Sequence, residues 1–219
     1  MPEAVRDLIA GALAGMVLPF ALAAALAMGG VAAGPVLALG VAAAAAGGIA
    51  HGLGLYFARR AEARHYAAER AREEQETHDY PEREKWEVAA LLHRYGLRGE
   101  TLQRATEAIA ADRRRWVDFM MRFELDLQEP LPGHAAAAAS RVGLAHGLAG
   151  LVPLLPYALV AAAGEALLAS ALLTGAALLG LGYLQARTTG TPPLRGALER
   201  VAIGAAAAGA AGLAVLLAG

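Results

Sequence analysis

The amino-acid sequence predicts an all-α membrane protein: five transmembrane helices, with a charged helical domain between the second and the third. Three observations carry this. Hydrophobic residues make up 57% of the 219 positions and charged ones 18%, against roughly 45–50% and 25% in soluble globular chains. The charge is also segregated, with residues 59–134 holding 30 of the 39 Lys, Arg, Asp and Glu side chains. Finally, residues 8–58 are 51 consecutive positions without any of these four, whereas a helix crosses the hydrocarbon core in about 20 residues. The chain therefore divides into residues 1–58 (helices 1 and 2), 59–133 (the charged domain) and 134–219 (helices 3 to 5). A net charge of −1 gives no general pull towards nucleic acid. The absence of Cys excludes disulfides, thiolate metal sites and a Cys nucleophile.

The first charge-free stretch is long enough for two spans, and the turn residues Gly29, Gly30, Gly34 and Pro35 mark the break. Spans one and two are thus expected near 8–29 and 35–58, with Arg59 and Arg60 closing the second. Charge-free stretches at 142–164, 166–186 and 201–219 give three more, near 136–158, 160–185 and 196–217, the last two separated by the polar loop from Arg187 to Arg200. Loop arginines fall on one side of this arrangement, which the positive-inside rule makes cytoplasmic. The N-terminus and the charged domain then face the cytosol and the C-terminus lies outside. Gly47, Gly48, Gly52, Gly54 and the run Ala42–Ala46 suit close helix packing and dimerisation.

In the charged domain, residues 59–79 hold no Gly or Pro and read as a helix continuing out of span two. Pro81 suits the first turn of another helix, whose Val88, Leu91, Leu92 and Tyr95 share an apolar face, and Gly96 stops it. A third helix is expected from Glu100 to Ala111, with Leu102, Ala105 and Ile109 inward. Asp112 is the expected N-cap of a fourth, over 113–127, and Pro130, Pro132 and Gly133 link to span three.

Acidic residues recur at helical spacing in this domain. Glu73 and Glu76 share one helix face with Glu69, and Glu84 and Glu87 share a face of the next helix. Carboxylate oxygens suit Fe²⁺, Mn²⁺, Ca²⁺ and Mg²⁺, and the thioethers of Met120 and Met121 would favour a transition metal. The competing reading is a solvated surface in which Arg70, Arg72 and Arg83 pair with these acids. A di-iron oxidase is excluded. Glu62 and His65 have Glu-x-x-His spacing, but that fold needs two such motifs and the chain has one. The single Lys, Lys85, follows no Gly-rich phosphate-binding loop. Transport driven by ATP hydrolysis in this chain is therefore not expected, nor is an enzyme.

Several strings resemble the vacuolar iron transporter (VIT) family, in particular its bacterial iron and manganese transporters. They are Trp116-Val117-Asp118-Phe119-Met120-Met121-Arg122-Phe123-Glu124-Leu125, Val152-Pro153-Leu154-Leu155-Pro156-Tyr157, Gly52-Leu53-Gly54 with Tyr56, Ala58, Glu62, His65 and Tyr66, and Gly15, Val17 and Pro19-Phe20-Ala21. The resemblance covers nearly the whole chain. It implies a homodimer in a bacterial inner membrane that exchanges Fe²⁺, often also Mn²⁺, for protons and moves the metal out of the cytosol. It also implies that the charged domain collects metal through Glu73, Glu76, Glu84, Glu87, Met120, Met121 and Glu124, and that Glu3 and Asp7 stand at the cytosolic mouth of span one.

The sequence departs from the family inside the spans. The family's pore Asp in span one is replaced by Ala14, its Glu in span two by Ala43, and its pore Met by His51. An acid inside a membrane is costly and normally functional, so two expected ligands and proton carriers are missing. His51 is the only group in that stretch that titrates near neutral pH, and imidazole ligates Fe, Mn or Zn. It is expected to replace the usual pore chemistry by pairing across a dimer axis. His146 in span three is a second candidate, while Glu165 is expected at the outer end of span four. Two functions follow: a divalent-metal transporter, or a metal-binding membrane protein that acts as sensor, buffer or degenerate paralogue without transport.

Overall fold

The computed structural model describes residues 2–218 and divides into two compact units, residues 1–57 with 135–219, and residues 58–134. The described residues form helices and connecting turns, with no strand among them. In order, the helices are α1 (Glu3–Met28), α2 (Ala33–Asp79), α3 (Pro81–Arg94), α4 (Gly99–Ala110), α5 (Arg113–Phe123), α6 (His134–Ala149), α7 (Leu155–Leu159), α8 (Ala163–Thr189) and α9 (Pro193–Ala218). Five helical stretches are long and apolar enough to cross a membrane: α1, α2, residues 134–159, α8 and α9.

The spanning unit packs through very small residues. α1, α8 and α9 lie against one another, with Ile9, Leu13, Met16 and Leu178 in one buried cluster and Phe20, Ala24 and Ala208 in another. α2 and α6 approach backbone to backbone. A Cβ added at Gly48 would lie 2.8 Å from the Gly143 carbonyl oxygen, and one at Gly143 would lie 2.9 Å from that of Gly48. α1 meets α6 in the same way, because a Cβ at Gly15 would lie 2.1 Å from the His146 carbonyl oxygen. Lipid tails give apolar side chains no preference for one another, so association rests on this close fit. Gly47, Gly48 and Gly52 thus serve packing within the chain, whereas a Cβ at Gly54 would meet open space.

Span three is broken rather than continuous. α6 stops at Ala149, a 3₁₀ turn occupies Val152–Leu154, and α7 follows. Pro153 and Pro156 supply no N–H, and their rings disfavour a straight helix through this point. The Ser170 hydroxyl on α8 donates to the Pro153 carbonyl at 2.6 Å, which satisfies a polar group where lipid cannot. Glu165, expected at the outer end of span four, is exposed in the first turn of α8, where the helix dipole favours an acid.

In the second unit, the helix expected over 59–79 is the continuation of α2, and α3, α4 and α5 follow the anticipated order. Asp112 caps α5, accepting from the Arg115 backbone N–H at 2.8 Å. Two expectations need correction. Tyr95 does not complete the apolar face of α3: the helix ends at Arg94, leaving Tyr95 as a 73% exposed C-cap. α5 ends at Phe123 rather than at 127, because the Glu124 and Leu125 N–H groups both turn back to the Met120 carbonyl. Asp126 then adopts φ 53°, a left-handed conformation that a short polar side chain tolerates. The unit's core joins Val88, Trp116 and Met120, with Leu92, Ile109 and Phe119 packed on them.

Replacing Gly15 by Ala should lower stability in detergent by about 1–3 kcal/mol, the usual cost of forcing extra volume into a packed contact. Gly54→Ala should leave it unchanged or slightly raised. Denaturation of the two variants beside the wild type checks this, and equal stability of all three would contradict the backbone contact.

Candidate metal-binding site

Three carboxylates converge in the second unit. One oxygen from each of Glu73 and Glu76 on α2 and Glu84 on α3 lies within 4.8 Å of the others. The turn at Tyr80, between Asp79 and Pro81, brings the ends of these helices together. Glu73 and Glu84 are almost completely buried, while Glu76 is half-buried. In each buried acid one oxygen is paired and the other is not. Arg72 reaches Glu73 Oε1 at 3.4 Å and Arg83 reaches Glu84 Oε1 at 2.8 Å, whereas Oε2 of both residues is buried without a hydrogen-bond partner.

A buried carboxylate oxygen with no donor is expensive, and carboxylate oxygens are the usual ligands of a hard cation. The arginines only partly offset the charge. Arg83 also approaches Glu76 at 3.4 Å and Glu87 at 3.7 Å, and Arg72 pairs with Glu69 at 2.7 Å. Arg70, the third expected partner of the acids, turns instead to Asp118 at 2.7 Å and Glu74 at 3.3 Å.

Burial is the main cause that pushes the Glu73 carboxyl up to about 7. Repulsion from Glu84 adds to it, Arg72 opposes it, and Glu76 and Glu87 add smaller repulsions. Glu124, the C-cap of α5, is likewise pushed up to about 7. Loss of water is the first cause, followed by the charges of Glu87 and Glu73, a hydrogen bond with Glu87, and the charge of Glu84. Glu124 keeps exposed surface, so crowding by carboxylates weighs heavily there. Five of the seven residues expected to collect metal therefore share one electrostatic neighbourhood.

The two thioethers are both enclosed. Met120 is buried in the apolar core with Val88 and Trp116, and Met121 is also fully buried. The Glu-x-x-His motif turns to solvent: Glu62 and His65 are exposed, and Glu62 pairs with Arg59 at 3.1 Å.

The candidate pore residues lie in the spanning unit. Glu3 begins α1. Asp7 accepts from Arg141 Nη2 at 2.7 Å and Nε at 2.9 Å, a two-pronged pair that neutralises the acid. Arg141 was not singled out from sequence, since it stands just before the charge-free stretch and its partner is 134 residues away. His51 stacks on His146 of the same chain, with ring centroids 4.1 Å apart.

The sequence profile of the VIT family matches residues 5–216. The chain is 43% identical to vacuolar iron transporter 1 of Arabidopsis thaliana, over 95% of this chain and 84% of that protein. It is 42% identical to vacuolar iron transporter 2 of Oryza sativa subsp. japonica, over 95% and 85% of the two chains. Protein CCC1 of Saccharomyces cerevisiae is 30% identical, over 100% of this chain and 70% of its own length.

Glu73 and Glu124 both titrate higher in the folded chain than their ordinary 4.5. Their contribution to stability is therefore greatest below pH 4.5 and is lost as pH rises towards 7. A bound cation must displace these protons. Mn²⁺ affinity measured by calorimetry on the full chain in detergent should tighten by roughly tenfold or more from pH 6 to pH 8. A flat profile would exclude these carboxyls as ligands.

Proposed function

The chain belongs to the VIT family, and from that premise we propose that it carries Fe²⁺ across a membrane, out of the cytosol. The transport is secondary, exchanging metal for protons through a path at the axis of a homodimer. Mn²⁺ is a second cargo, and Zn²⁺ is accepted through imidazole. The N-terminus and the acidic module face the cytosol, in keeping with the arginines that border the spans. The module collects metal first, and Glu73, Glu76, Glu84, Glu87 and Glu124 supply hard oxygen ligands. Met120 and Met121 complete the set. The observation that carries this reading is the pair of buried, partnerless Oε2 atoms on Glu73 and Glu84, which a cation would satisfy and a solvated acidic surface would not contain.

His51 serves as the metal-handling residue of the path, with Asp7 and Glu3 at its mouth. The release of Asp7 from Arg141 accompanies loading. A second reading is favoured by Ala14 and Ala43, which leave no carboxylate at two positions where the family carries one. On that reading the protein binds metal through the module and conducts none.

Flux into proteoliposomes separates the two. With Fe²⁺ and a pH gradient, uptake should exceed that without the gradient severalfold, and Glu73→Gln with Glu84→Gln should reduce it severalfold. The same vesicles test Mn²⁺, Co²⁺ and Zn²⁺. Metal binding with no flux of any ion under either condition would establish the second reading.

A further inference from the structure

We propose that a cavity between α1, α8 and α9 holds the phosphate of an anionic phospholipid headgroup, with the Arg200 guanidinium and the Gln185 amide as its donors. The inference goes beyond the transport reading and does not depend on it. The cavity has a volume of about 220 Å³. Arg200 and Gln185 form its polar lining, against apolar residues that include Ala10, Leu13, Leu178 and Ile203. No carboxylate lines it.

Arg200 is half-buried, two turns into α9, and has neither an ion pair nor a hydrogen bond among the described residues. The adjacent acid on its own helix, Glu199, is exposed and pairs with Arg195 at 2.9 Å. The acid at this end of α1, Asp7, is held by Arg141 at 2.7 Å. A guanidinium keeps its charge, and at the edge of hydrocarbon it calls for an anion. Glycine fixes where the side chain lies. A Cβ at Gly182 would stand 2.9 Å from Arg200 Cγ, so the stem rests across bare α8 backbone. Gln185 lies one turn further along α8, and its side-chain amide also has no hydrogen-bond partner among the described residues.

Depth identifies the anion. Beyond Arg200, residues 201–218 form a charge-free helix about 27 Å long, close to the roughly 30 Å of the hydrocarbon core. Arg200 therefore stands at the level of the lipid phosphates. Ala10, Ala14 and Ile203 are exposed and leave an apolar flank along which acyl chains can lie. A planar guanidinium donates two parallel N–H bonds to a phosphate, and the Gln185 amide adds a third donor. Arg6 on α1 and Arg187 on α8 are exposed at the same end of the bundle. This positive rim favours a headgroup with net negative charge over one that carries its own ammonium.

The test titrates the delipidated full chain, in neutral detergent, with phosphatidylglycerol. Native mass spectrometry reads binding and thermal denaturation reads stability. One phosphatidylglycerol per chain should bind roughly tenfold or more tightly than phosphatidylcholine, and it should raise the melting temperature. Arg200→Gln should weaken this binding by roughly tenfold or more and abolish the lipid-dependent rise. Its lipid-free melting temperature should be unchanged or higher, because an unpaired charge is removed. Gln185→Leu should weaken binding severalfold, and it carries the test if Arg200→Gln does not fold. Arg187→Gln removes an exposed cation outside the cavity and should change the affinity little. Phosphatidylglycerol binding that survives both Arg200→Gln and Gln185→Leu overturns the inference. So does an equal loss with Arg187→Gln, which would mark general surface attraction. Inorganic phosphate that raises the melting temperature as far as the lipid does would overturn the assignment to a headgroup.

Discussion

Hydrocarbon offers no hydrogen bonds, and the spanning unit is organised around that fact. Charged side chains are nearly absent from it, and at its border Asp7 is paired with Arg141. Where prolines break span three, Ser170 supplies the donor that the backbone lost. Where His51 stands in an otherwise uncharged helix, the Gly47 carbonyl takes its N–H. His146 and Thr174 are exceptions: both are buried, and the His146 ring nitrogens and the Thr174 hydroxyl have no hydrogen-bond partner.

The acidic module faces the opposite problem. It has water nearby yet holds two carboxylates away from it. Arg72 and Arg83 each neutralise one oxygen of a buried acid and leave the other bare. Full pairing would give a stable surface network with no use for a cation, and no pairing would drive α2 and α3 apart. The observed half-measure keeps the helices together while the site stays receptive. The Val88, Trp116 and Met120 core lets this cost be borne, since it fixes α3 and α5 independently of the acids.

Much of this was legible in the sequence, and for identifiable reasons. Span number follows from charge-free length, a property that tertiary contacts do not alter. The order of α2 to α5 follows from Pro81, Gly96 and Asp112, whose conformational preferences are local. The acids were readable as a group because α2 and α3 are joined by a very short turn. What stayed hidden depends on long-range contact. The Asp7–Arg141 pair joins residues 134 positions apart, and nothing in either neighbourhood announces it. Stacking of His51 on His146 likewise needs the glycine contacts of α2 with α6. The break in span three lay in plain sight at Pro153 and Pro156, but the surrounding apolar run reads as one helix when only hydropathy is weighed.

The glycine contacts between α2 and α6 also set how this bundle can change over generations. A core built from Leu and Phe tolerates loss of volume by partial collapse, so its common injury is a cavity. Here the contacting residues are already as small as residues can be, and every substitution adds atoms. Drift at Gly15, Gly48 and Gly143 is therefore one-directional, and a larger side chain at one of them can be accommodated only if the facing helix moves away. Such a movement would shift His146 with it. Spacing between these helices and the chemistry of the buried ring are thus inherited together, and a lineage that altered one would be expected to have altered the other.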